Sequence, residues 1–284
     1  ELLRGSDRQC IELIRMSREA YVRLCMQCRQ ELWLHDSKHV SVEEKMAMFL
    51  TIIRHNERYA FIKRKFQHSS QTIHKYFHKV LAVMMTFARE MTVPSTFDPD
   101  PDSPGAHKSL RRIFKVFYYP ILYMFYIIKV RIRYMYGAVD ININSFVYAG
   151  WEGVAHDSRV LTEVLAEPSN NFPFPPPTGK YYLCDAAYTN TRGFMAPYRN
   201  VRYWLGDFRR KRVMTKEEKF NHAHTKLRNV IKHTYGMLKA RFPILDKMAR
   251  CPFNVQRNVV IACFTVNNFI RKEKINDELF VQYE

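Results

Sequence analysis

Two aspartates follow apolar runs, and an acid in such a place can hold a metal ion at the edge of a sheet. Asp185 comes directly after Tyr181, Tyr182, Leu183 and Cys184, where a strand ends and a side chain can face a cleft. Asp157 follows the apolar run 146–149 across a Gly150-Trp151-Glu152-Gly153 turn. Cleaving a phosphodiester with water or a 3′ hydroxyl requires an activated nucleophile and a stabilised leaving oxygen. A pair of divalent ions held by carboxylates does both. Mg²⁺ keeps several of its waters, so a few acids converging from separate elements suffice. An aspartate after a strand also serves as a turn residue or a helix N-cap. Asp157, ahead of Ser158-Arg159-Val160-Leu161, fits a cap as well as a ligand.

The elements that would position these acids alternate between helix and strand. Residues 1–92 read as helical: Ser17 is an N-cap, and Ser41-Val42-Glu43-Glu44 is a capping box. Behind that box, Met46, Met48, Phe49, Ile52 and Ile53 form an apolar stripe at helical spacing. Two helices joined by the polar turn 67–70 give a helix-turn-helix-like pattern. The second of them places Gln71, His74, Lys75, His78 and Lys79 outward, where they could meet base edges or phosphates in a major groove. Residues 93–106 hold Pro94, Pro99, Pro101 and Pro104, which neither a helix nor a central strand tolerates. They are expected to be a linker. Beyond it, residues 117–128 are apolar but too short to span a membrane, and read as a buried strand or core helix. Thr215-Lys216-Glu217-Glu218 is another capping box, and residues 253–270 read as a final, largely buried helix.

Charge narrows the choice of partner. The 284 residues carry 45 Lys and Arg against 27 Asp and Glu, a net charge of +18. Clustered cations bind polyanions by releasing counterions. Sixteen of the basic residues fall within 192–250, including the run Arg209-Arg210-Lys211-Arg212. Tyr198, Tyr203, Trp204 and Phe208 interleave with them, and aromatic rings among cations suit bases as well as phosphates. DNA is the expected partner. The six cysteines show no secreted disulfide spacing. Cys25-x-x-Cys28 has no second ligand pair to complete a zinc site, so buried free thiols in a reducing compartment are expected. A chain opening on Glu1 without a signal peptide reads as part of a longer one.

The order of the motifs carries further information. Residues 148–161 read Tyr-Ala-Gly-Trp-Glu-Gly followed, one residue on, by Ala-His-Asp-Ser-Arg-Val-Leu, and Gly179 to Tyr188 contains Leu183-Cys184-Asp185-Ala186. Phe220-Asn221-His222, Leu227-Arg228-Asn229-Val230-Ile231-Lys232-His233 and Tyr235-Gly236-Met237-Leu238-Lys239-Ala240-Arg241-Phe242-Pro243 follow. From about residue 146 to 269 this series resembles the nuclease domain of the PIF/Harbinger-type DDE transposases of plants. The helical stretch before residue 92 resembles the region that precedes that nuclease.

The resemblance implies an α/β fold: an RNase H-like nuclease over residues 107–284, behind the helical domain 1–92. It implies metal-dependent hydrolysis or strand transfer on DNA with Mg²⁺ or Mn²⁺, a nuclear location and no membrane. It also implies a separate DNA-binding partner protein or a homo-oligomer. Asp185 is then a catalytic metal ligand, with Asp157 a further metal-binding candidate. The family's first acid stands in a strand of the form Gly-Ala-Ile-Asp-Gly-Thr-His, which only Gly137-Ala138-Val139-Asp140 resembles, making Asp140 the candidate. Its last acid, a helical glutamate, is Lys232 here. A misjudged exon boundary would explain both the missing strand and the apolar, aromatic-rich run 117–128. An ammonium in place of a ligand repels a divalent cation, so the expected activity is DNA binding with impaired cleavage. A working endonuclease and a protein-interaction module are the alternatives.

Overall fold

A computed structural model describes residues 6–91, 121–130, 133–140, 143–152, 157–170, 181–186, 188, 190–208, 214–248 and 251–273. Its helices are α1 (Asp7–Ile14), α2 (Arg18–Gln30), α3 (Val42–His55), α4 (Tyr59–Phe66), α5 (Ser70–Met91), α6 (Asp157–Ala166), α7 (Lys216–Arg241) and α8 (Phe253–Lys272). Its strands are β1 (Ile121–Val130), β2 (Arg133–Asp140), β3 (Ile143–Glu152), β4 (Tyr181–Cys184) and β5 (Phe194–Met195). Helix predominates.

The chain divides into two compact units. One comprises Glu1–Thr92, Val130–Ile132 and Tyr235–Glu284; the other comprises Val93–Lys129 and Arg133–Thr234. The C-terminal helix is grouped with the first five because it packs against α5. The reason is a shared apolar surface. α8 buries Val259, Val260, Cys263, Phe264, Val266, Phe269 and Ile270, more apolar surface than a helix can leave in water. Phe269 meets Phe87 of α5 at 5.7 Å between ring centroids, and Asn268 Nδ2 donates to the Met91 carbonyl at 3.3 Å. Arg241 is wholly buried, and its Nη1 donates to the Arg15 carbonyl at 2.5 Å.

Within that unit α3 is buried over most of its circumference, including Met46, Met48, Phe49, Ile52 and Ile53. Ser17 and Ser41 accept from Ala20 N–H and Glu44 N–H as N-caps. The reciprocal half of the expected box at Ser41 is diverted, because the Glu44 carboxylate pairs with His68 Nε2 at 2.9 Å. Lys45 lies in the core, where its ammonium donates to the His35 carbonyl and Ser37 Oγ, both at 2.6 Å. Those bonds replace the water that burial removes. The described cysteines are all free and, except for half-buried Cys251, buried.

The strands of the second unit lie in the order β3-β2-β1-β4-β5. β2 and β3 run antiparallel, while β4 is parallel to both β1 and β5. Tyr182, Leu183 and Cys184 are completely buried, the expected state of a strand with parallel neighbours on both sides. The apolar run 117–128 therefore yields a strand rather than a helix over its described part. The turn into β5 closes with Phe194 N–H donating to the Thr191 carbonyl at 2.9 Å, and Gly193 has φ 87°. A type II turn requires a positive φ at that third residue, which a glycine supplies without strain.

Candidate functional site

The site is assembled by the first turns of α7. Thr215 Oγ1 accepts from Glu218 N–H at 3.2 Å and Glu218 Oε2 accepts from Thr215 N–H at 3.0 Å, completing the expected capping box. Glu218 also takes both Nε and Nη2 of Arg202, at 2.6 and 2.9 Å, in a fork that only a guanidinium makes. One turn on, the buried Asn221 accepts from Tyr198 N–H at 2.8 Å and donates to the Tyr198 carbonyl at 3.0 Å. Thr225 Oγ1 donates to the Tyr203 carbonyl at 2.6 Å. These side chains fasten the loop between β5 and α7 along the helix.

His224 joins that loop to β4. Its Nε2 lies 3.0 Å from the Cys184 carbonyl and its Nδ1 lies 3.0 Å from the Tyr203 hydroxyl. A carbonyl only accepts, so Nε2 carries the proton, and in the neutral ring Nδ1 accepts from Tyr203 O–H. Burial holds the imidazole in that form, lowering its pKa from 6.5 to about 4. The Cys184 thiol is likewise pushed up, to about 12, by burial and then by the neighbouring Asp185 charge.

Asp185 stands at the end of β4, as its place after an apolar run predicts. Its Oδ2 accepts from Arg228 Nη2 at 2.9 Å and its Oδ1 accepts from Ala186 N–H at 2.8 Å. The Arg228 guanidinium also lies 5.9 Å from the centre of the Tyr203 ring. Asn221, His224, Thr225 and Arg228 recur at i, i+3, i+4 and i+7, so one stripe of α7 faces β4 and the loop. The sequence reading gives His224, Thr225 and Arg228 no role. Their signal was that polar stripe in an otherwise mixed helix.

The remaining candidates stand on other elements. Asp140 ends β2 and Asp185 follows β4, and these strands flank β1 on opposite sides. Their backbones are two strand spacings apart, about 9.6 Å, before any offset along the strands. The strands beside β4 are β1 and β5, whose sequences ILYMFYIIKV and FM contain no Asp or Glu. Asp157 is the first residue of α6, and Lys232 lies on α7 four residues after Arg228, one turn along. The side chains of Asp140, Asp157 and Lys232 lie outside the described residues. So do Arg209, Arg210, Lys211 and Arg212, and residues 93–106. On α5, Gln71, His74, Lys75 and Lys79 are exposed and His78 is half-buried, while Ile73, Phe77, Val80 and Leu81 are buried, as the periodicity predicts. The His74 and His78 rings lie 4.4 Å apart between centroids, tilted by 53°.

The described residues do not fit a divalent ion well. A magnesium site needs carboxylate oxygens free to coordinate. Among the described side chains the end of β4 offers the Asp185 carboxylate, and a guanidinium and an amide each donate to one of its oxygens. Among the described residues no cluster of three His, Cys, Asp or Glu side chains surrounds it.

Residues 133–268 match the family described as DDE superfamily endonuclease, and residues 1–86 match a domain of unknown function, DUF8040. The first match supports a transposase-derived DDE endonuclease domain, a class that uses divalent metals and acts on DNA. It begins at the first residue of β2, so β1 lies ahead of it. No curated protein and no solved structure matches the chain significantly. No helix among the described residues is long and apolar enough to cross a membrane.

Proposed function

We propose that this chain binds DNA and that its endonuclease domain cleaves phosphodiesters poorly or not at all. The observation that carries the second half is the Asp185–Arg228 ion pair at 2.9 Å. An acid that must hold a metal is neutralised by a fixed cation, and the adjoining strand β1 supplies no acid to outweigh it. Lys232 adds a further positive residue one turn along the same helix. A metal ion at Asp185 would compete with the Arg228 guanidinium for Oδ2.

The first half rests on charge. A net +18 on a protein of this size attracts a polyanion at long range, and the DDE-family match makes DNA the natural one. A nuclear location follows from that substrate. The finer assignment to PIF/Harbinger-type transposases rests on the motif order between residues 146 and 269. The strand order β3-β2-β1-β4-β5, with β4 and β5 parallel to β1, suits the RNase H-like domain that such enzymes use. Membership also favours work alongside a second DNA-binding protein or a second copy of the chain.

Incubating supercoiled plasmid with the protein in Mg²⁺ or Mn²⁺ tests the reading, with a gel shift on the same DNA alongside. Binding without nicking is the expected result. Metal-dependent nicking that Asp185→Ala abolishes would show that the site works despite Arg228. The absence of any shift would reject DNA as the partner.

A further inference from the structure

The described part of the loop between β5 and α7, residues 196–208, combines two properties that seldom occur together. It is stiff, because Glu218, Asn221, His224 and Thr225 of α7 each hold it through a side-chain hydrogen bond at 2.6–3.0 Å. It also leaves two large aromatic rings in solvent: Trp204 is 72% exposed and Tyr198 is 51% exposed. An indole held out by a floppy loop means little. On a fastened loop it is a preformed flat surface, and stacking on it costs little further ordering.

We infer that Trp204 and Tyr198 are stacking contacts for the bases of an unpaired DNA strand, beside the Asp185–Arg228 pair. This rests on the DNA-binding reading above and specifies the form of the DNA. Three observations on the loop favour that occupant. The charge is complementary: Arg199 on the loop and Arg192 in the turn before β5 are exposed, and residues 190–215 hold seven Lys or Arg against the single acid Asp207. The location is close to the chemistry, since Tyr203, next to Trp204, contacts both the Arg228 guanidinium and the His224 ring. The surface is also generic. Every base has a π face, so two aromatic rings among arginines take a single strand without reading its sequence. An intact duplex keeps those faces covered by its own stacking, so the loop would engage DNA at a nick, a gap or a frayed end.

Fluorescence anisotropy with a labelled oligothymidylate and with a labelled duplex hairpin of equal length tests the inference, using the full chain. The wild type should bind the single strand by at least as much as the duplex. Trp204→Ala should weaken single-strand binding by on the order of tenfold, the range for loss of one base–aromatic stack. Its duplex binding and salt dependence should stay unchanged, and Trp204→Phe should retain most of the single-strand affinity. Single-strand binding unaltered in Trp204→Ala, with wild-type DNA binding intact, would overturn the platform alone. An equal loss on both DNAs would overturn it too, since the ring would then serve the duplex or the fold. A wild type that binds neither DNA would overturn the platform together with the reading beneath it, leaving the exposed rings as a protein-docking face.

Discussion

Arg228 and Asp185 are 43 residues apart in the chain and 2.9 Å apart at the end of β4, with side chains only 18% and 23% exposed. A surface ion pair would be screened by salt, but one this covered is screened much less. Its consequence is chemical. The carboxylate best placed to hold a cation already holds one that belongs to the protein.

Removing that cation should therefore increase metal affinity. Arg228→Gln frees Asp185 Oδ2 and removes a positive charge, and Lys232→Glu adds a carboxylate one turn along α7. Calorimetric titration with Mn²⁺ should rank the double variant above either single variant, and both above wild type. Asp185→Ala in the double background should return binding to the wild-type level. Equal titrations throughout would mean that no cation site exists at the end of β4. Arg228→Gln should also lower stability, by about 1–3 kcal/mol, because Asp185 loses a charged donor.

His224 sets the acid limit of the same region. Burial keeps its ring neutral in the fold and lowers its pKa from 6.5 to about 4. The unfolded chain therefore binds a proton that the folded chain refuses between those two values. Stability from this group is fully present above pH 6.5 and is lost as pH falls toward 4, by roughly 3 kcal/mol at most. Thermal unfolding from pH 7.5 to 4 should show the decline. His224→Gln, which keeps a donor for the Cys184 carbonyl, should flatten it. A parallel decline in the variant would assign the effect to other groups, such as the half-buried His55, whose pKa is also lowered by desolvation.

What was legible in the sequence was local. The strand before Asp185, the capping box at Thr215 and Glu218, and the apolar face of α5 each follow from neighbours a few residues apart. Tertiary partners were not legible in that way. Arg228 reads as one more basic residue in a basic helix until β4 is laid against it. Asp140 is the last of four residues that resemble the expected strand, but only the sheet order shows that β1 separates it from β4. The proline-rich stretch looked like a boundary because prolines break elements. It says nothing about whether the chain returns to its first domain, as α8 does.

That return predicts how the helical unit behaves when cut. A fragment ending at residue 92 exposes the surface of α5 that Phe269 and Asn268 cover. It should show helical circular dichroism without cooperative unfolding, and a peptide spanning 235–284 added in trans should restore the transition. In the full chain, Phe269→Ala should cost about 3–5 kcal/mol, since Phe269 is only 3% exposed. A sharp unfolding transition in the fragment alone would show that α8 is dispensable to the first five helices.

The salt dependence of DNA binding separates the two basic surfaces. Each phosphate neutralised by a Lys or Arg contributes about −0.9 to the slope of log affinity against log salt on duplex DNA. If Arg209, Arg210, Lys211 and Arg212 contact the backbone, changing all four to Ala should make the slope shallower by up to about 3–4. The loss should be nearly independent of sequence, because phosphates carry none. Gln71, His74, Lys75 and Lys79 form a different kind of surface, since a glutamine and a histidine on a helix can pair with base edges. Gln71→Ala with His74→Ala should leave the slope unchanged and reduce only the preference among duplex sequences. Gel shifts from 50 to 200 mM salt on two unrelated duplexes distinguish these effects. A slope near zero for the wild type would remove phosphate contact from the account and direct attention to an acidic protein partner.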